Sequence, residues 1–222
     1  RRVGVLRDLR AREQYGRALL LLALAYLLSA FDSAILEDIS GLIFILILLM
    51  IMANKHVPRR LRVAGFAAAG VSLLLSLTRV VATSDATVAL DAFSTMTAIA
   101  LTIPAILMRL LGHKTVTAPT VMGAFLCYAL VGFAAAYLFI GVDAVSSEPF
   151  FSQGQTSQGD FIYFAMVTLT TVGYGDLTAA TVLGKRLVVI EAVMGQVFLV
   201  VLLARMVSLW QLPQRVSRTE DE

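Results

Sequence analysis

The chain is poor in the residues that most enzymes rely on. It holds one cysteine and two histidines among 222 residues. A lone cysteine, Cys127, excludes an intrachain disulfide, and its apolar neighbours make it a small packing residue. His56 and His113 stand in separate charged loops with no carboxylate or cysteine at ligand spacing, which argues against a resident metal. Charge is scarce as well. Asp, Glu, Lys and Arg make up 15% of the chain against 59% hydrophobic residues, with a mean hydropathy of +0.84. That balance excludes an ordinary soluble domain. No fixed-period repeat, nucleophile–base pair or phosphate-binding glycine loop is present, so the residues point neither to an enzyme nor to a cofactor.

What is there is apolar length. Six segments are long enough to place in a bilayer: Ala18–Leu36, Ile39–Ala53, Val63–Ala82, Val88–Leu111, Thr120–Val142 and Leu183–Leu209. A weaker apolar piece, Phe161–Leu169, rises only about 1.5 Å per residue and is too short to cross, so it reads as a re-entrant helix. The expected fold is an all-α membrane protein of six transmembrane helices, with a re-entrant helix and loop between the fifth and sixth.

Charge orients these spans. With a cytoplasmic N-terminus, every one of the 18 lysines and arginines falls on the inner side except Arg79, Lys185 and Arg186. Carboxylates, among them Asp32, Glu37, Asp38, Asp85, Asp91, Asp143, Glu148, Asp160 and Asp176, gather on the outer side. This positive-inside pattern predicts a multi-pass protein of the cell membrane with both termini cytoplasmic. The basic start, residues 1–16, reads as a helix on the anionic inner leaflet rather than as a nucleic-acid patch. The polar, proline-bearing stretch "GHKTVTAPT" separates a four-span unit over 17–114 from a second unit over 115–210, and 211–222 forms a charged tail.

The segment after the half-helix is "TLTTVGYGD", residues 168–176. It places threonines, two glycines, a tyrosine and a carboxylate at membrane depth, where irregular backbone is tolerated only if protein or water surrounds it. Gly173 and Gly175 permit left-handed dihedrals, and alternation of backbone hand turns successive carbonyls to the same side. Such a row, repeated about an axis, replaces the hydration shell of a bare cation.

On these residues the chain resembles the potassium channel family, whose selectivity filter "TVGYGD" (171–176) matches. The resemblance covers about 100 residues, from Thr120 to Trp210. It implies K⁺ sites formed by the carbonyls of Thr171, Val172, Gly173 and Tyr174 and the Thr171 hydroxyl. Gly175 would shape the outer mouth, and Asp176 would cap the filter from behind. It also implies a homotetramer, since about eight oxygens surround each dehydrated ion. Tyr163 and Phe164 fall where the family places an aromatic cuff around the filter tyrosine. Gly184 falls at the entry to the inner helix and Gly195 at its gating hinge, although close helix packing explains a membrane glycine equally well.

Glu191, an ionisable group inside the sixth span, reads as a gating residue hydrogen-bonded to the half-helix, or as a carboxylate turned to a small water pocket. Gln196 is expected to line a cavity. Leu199, Leu203 and Val207 recur at helical spacing, as a constriction or as ordinary packing. The first four spans resemble a voltage sensor in topology alone. The fourth carries only Arg109, at its inner end, and a proline at 104, so strong voltage gating is not expected. Arg79 with Asp85 and Asp91 is expected to form a structural ion pair. The sequence therefore reads as a passive K⁺ channel in a lipid bilayer, with permeant K⁺ and no cofactor. A non-conducting membrane assembly or sensory subunit with a pore-like fold is the alternative.

Overall fold

The computed structural model describes residues 2–31, 33–54, 57–81, 84–111, 117–154 and 157–209. Seven helices are described: α1 (Arg2–Leu28), α2 (Ala34–Met52), α3 (Arg59–Val81), α4 (Asp85–Leu111), α5 (Ala118–Val145), α6 (Gln158–Leu169) and α7 (Val182–Leu209). His56, His113, Lys55, Asp32 and the tail 211–222 lie outside the described residues.

By length and apolarity α3, α4, α5 and α7 can each cross a bilayer, over Arg59–Arg79, Asp85–Leu111, Ala118–Val145 and Val182–Ala204. In α2 the apolar stretch is the shorter Ile39–Met52. The expected first span, Ala18–Leu36, is not one element. A turn at Ser29–Phe31 ends α1, and Ser33 stands at the N-cap of α2 with extended φ and ψ. The basic start is also not a separate segment, because α1 begins at Arg2 and runs unbroken into the apolar stretch.

The most extensive helix pairing is between α4 and α5. α3 packs on α4, α1 on both α2 and α5, and α6 sits against α5 and α7. Cys127 is buried in this core, its Sγ 3.9 Å from the Ile103 carbonyl, as a packing residue. Between α3 and α4 the expected ion pair forms with Asp91. Arg79 Nη1 donates to Asp91 Oδ2 at 3.0 Å, and Ser76 Oγ donates to Oδ1 at 2.9 Å.

A layer of rings locks the second unit near its loops. Phe150 stacks on Phe139 at 4.9 Å, Phe151 lies 4.7 Å from Phe161, and Phe164 lies 5.1 Å from Phe151. The loop before α6 is then tied to the segment preceding α7. Ser152 N–H donates to Thr178 O and Ala180 N–H to Phe150 O, both at 2.8 Å. Asp143 at the end of α5 accepts the Phe150 N–H at 2.7 Å. The loop 171–181 therefore has both ends anchored to one rigid frame.

Candidate functional site

α6 starts on a capping box. Asp160 N–H donates to Ser157 Oγ, and the Ser157 N–H donates back to Asp160 Oδ2 at 2.9 Å. Its 12 residues rise about 18 Å, too short to cross the hydrocarbon layer. At its other end Thr170 N–H donates to Met166 O, and Thr170 Oγ1 accompanies it at 2.7 Å. These bonds stop the helix and release the chain into the loop.

The next three amides fold back on α6. Thr171 N–H donates to Thr168 O at 3.0 Å, and the Val172 and Gly173 N–H groups donate to Val167 O at 3.0 and 3.4 Å. No described peptide bond is cis. In a trans peptide C=O and N–H are opposed, so the carbonyls of Thr170, Thr171 and Val172 are directed away from the helix. Backbone hand alternates along the same stretch. Thr171, Gly173 and Gly175 have φ of 61°, 53° and 80°, and Thr171 is the sole described non-glycine residue with positive φ. That dihedral is uncommon for a β-branched residue. Residues 170–176 are all exposed on the isolated chain.

Tyr163 and Phe164 part company. The Tyr163 hydroxyl donates to Asp176 Oδ2 at 2.7 Å, whereas Phe164 turns into the ring layer with Phe139, Phe150 and Phe151. Neighbouring residues on a helix point about 100° apart, and here the two rings reach different surroundings. Neither is in ring contact with Tyr174, which is 71% exposed. Within one chain the expected cuff is thus an Asp176 clamp plus a core aromatic. Because of that hydrogen bond the Asp176 carboxyl lies below its ordinary value, and the Tyr163 phenol is pushed up to about 12.

Tyr128 in α5 is a site residue that sequence reasoning missed. Its hydroxyl donates to Leu169 O at 2.8 Å, satisfying one of the last carbonyls of α6. The two residues lie 41 positions apart, and a tyrosine in an apolar helix carries no local sign of such a bond.

α7 reaches the same point. A Cβ on Gly195 would stand 2.7 Å from Leu169 Cδ1 and 3.2 Å from Leu169 O, so this glycine lets the inner helix touch the end of α6. Gly184 is buried against Phe150 and Ala179. Glu191, one turn before Gly195, is 3% exposed, and neither carboxylate oxygen has a hydrogen-bond partner. The bond expected between Glu191 and the half-helix is not formed in the single chain. A buried group of this kind is costly to leave unpaired. Gln196 and Leu203 are exposed, and Leu199 is half-buried.

The geometry is a loop of alternating backbone hand, turned by its amides onto α6 and exposed on the chain. Residues 124–211 match the ion channel family. No curated protein matches the chain. The ion channel match runs from α5 through the half-helix and loop into α7, and leaves α1–α4 outside it. It supports an ion channel function in general, for a chain whose long apolar helices make it a multi-pass membrane protein.

Proposed function

We propose that the chain is a potassium-selective channel, conducting K⁺ passively through the central axis of a homotetramer. One observation carries this reading. Over 171–175 every second residue is left-handed, while the amides of 171–173 are turned back onto α6. A backbone so arranged offers its carbonyls on one side. The Thr171, Val172, Gly173 and Tyr174 carbonyls then form stacked K⁺ sites with Gly175 at the mouth, and the dipoles substitute for water. Na⁺, which holds its water more tightly, is disfavoured in such a row.

The tetramer is supported by what one chain leaves uncovered. The loop is exposed, and only 11% of the apolar stretch of α7 is buried. Four copies about an axis would bring the loops face to face and line the lower pore with α7, including Gln196, Leu199 and Leu203. Bracing of Tyr174 would fall to a neighbouring copy. Both termini would lie in the cytoplasm and the protein in the cell membrane, as the charge asymmetry favours. Glu191 is assigned to gating, through its place beside the contact between α7 and the end of α6.

Reconstituted protein tests the reading. Proteoliposomes loaded with K⁺ should take up Rb⁺ in a Ba²⁺-sensitive manner and exclude Na⁺. Equal Na⁺ and Rb⁺ flux would refute selectivity. Absence of flux at any voltage or pH would favour a non-conducting assembly.

A further inference from the structure

At the end of the bundle away from the loop, four elements meet around a polar pocket unconnected with the conduit. Gln14 of α1 donates through Nε2 to Met50 O of α2 at 2.7 Å, and its Oε1 accepts from Arg109 Nη1 of α4 at 2.8 Å. Asn54 Nδ2, just past α2, donates to the same Oε1 at 3.4 Å. The Arg109 guanidinium lies 5.2 Å from the centroid of the Tyr15 ring, a cation–π placement. The Tyr15 ring is held in turn by Gly123 of α5, where a Cβ would come within 3.2 Å of it.

Two features of this pocket are unsatisfied. Arg109 has five N–H donors, one acceptor and no carboxylate partner among the described residues. Tyr15 is 2% exposed, and its hydroxyl has no hydrogen-bond partner among the described residues. Both line one cavity of about 10 Å³ with Ile51, Asn54, Val57 and Ala105. That volume seats about one water-sized atom. A delocalised cation and a buried hydroxyl on residues lining a one-atom space are a donor set suited to an anionic oxygen. Arg59 and Arg60, exposed at the start of α3, follow Val57 in the sequence and add positive charge to this end of the chain.

We propose that Arg109 and Tyr15 form a binding site for a phosphate oxygen, entered from the membrane face that carries the arginines. The cavity admits one oxygen and not a whole phosphate ion, so the rest of the group stays outside, as a phospholipid headgroup at the membrane face can. Arg109 stands two residues before the end of α4, and α5 is the next helix in the chain. A bound headgroup therefore fastens α1, α2 and α4 together at the entry to the pore unit. This gives the four-helix unit a role as a lipid-reading brace.

Native mass spectrometry of the purified full chain, titrated with dioleoyl phosphatidylglycerol, tests the site without reference to ion flux. The wild type should retain this lipid, and should not retain dioleoylglycerol, which has the same tails and no phosphate. Arg109→Gln should weaken retention roughly tenfold or more, the size expected for a charge-assisted hydrogen bond. Tyr15→Phe keeps the ring and should weaken retention several-fold, while Arg60→Gln should change it little. Arg109→Lys keeps the charge and should retain part of the affinity, which decides the matter if the glutamine variant does not fold. Displacement by inorganic phosphate would identify a free ion as a second occupant, and resistance to it would leave the headgroup alone. Equal retention of dioleoylglycerol, or unchanged lipid retention in Tyr15→Phe and Arg109→Gln, would overturn the proposal.

Discussion

At the mouth of the loop, one hydrogen bond between exposed groups carries a pH signature. Tyr163 donates to Asp176, lowering the carboxyl below its ordinary 3.8 and raising the phenol to about 12. For a depressed carboxylate the bond contributes above the ordinary value, and is lost as pH falls through the lower folded value. For a raised phenol it contributes below the ordinary value and is lost only as pH climbs towards about 12. Across the neutral range the clamp should therefore be insensitive to pH. Tyr163→Phe should move the acid limb of Rb⁺ flux up toward about 3.9, the unperturbed carboxylate range. An acid limb identical to wild type would show that the bond does not brace the mouth. Gly173 makes a second residue-scale case. Its φ is 53°, and alanine there costs about 1–2 kcal/mol per chain from the steric penalty of the left-handed region. Gly173→Ala should lower the thermal midpoint of the assembly and erode Rb⁺ over Na⁺ preference, both measurable on one preparation. Glu191→Gln preserves shape and removes the ionisable carboxylate. Changed open probability or pH response in single-channel records is expected, and unchanged behaviour would remove Glu191 from gating.

Among the elements, α4 shows most clearly how the four-helix unit differs from a voltage sensor. Its ends are pinned. Asp91 is held by Arg79 and Ser76 of α3, and Arg109 by Gln14 and Tyr15 of α1. Each charge that crosses the field contributes about 2.3 kcal/mol per 100 mV, and α4 has no row of cations to move. The conductance–voltage relation should accordingly be shallow. Removing one partner of the largely buried pair should be far worse than removing both. Arg79→Leu alone is expected to cost about 3–5 kcal/mol, and the double change Arg79→Leu/Asp91→Leu much less. Thermal unfolding in detergent of the two variants checks this, and equal loss in both would mean that the pair is solvated. The pair was legible in the sequence because a cation and a carboxylate stood close together on consecutive apolar segments. The break between α1 and α2 was not. In a continuously apolar run no change of period marks a turn, and only the polar Asp32 and Ser33 hinted at one.

For the whole molecule, the proposed tetramer makes one chain a quarter of the working object. A channel of four copies should weigh four times the 24.0 kDa chain in mild detergent, after subtraction of bound detergent. Monomers alone would count against a conducting axis.

Composition and spacing by themselves determined that the chain is helical and membrane-bound, and that a short half-helix precedes a glycine-bearing turn. These properties are local: apolar length, charge asymmetry and the dihedral freedom of glycine are all carried by neighbouring residues. Only the tertiary structure decided which side chains meet across the helices. Tyr128 reaches Leu169, Phe164 turns to the core while Tyr163 takes Asp176, and Tyr15 meets Arg109. Each of these contacts depends on how helices distant in sequence are rotated about their own axes. In a chain so uniformly apolar, hydrophobic pattern fixes that rotation weakly, and close packing at small residues such as Gly123 and Gly195 sets it instead.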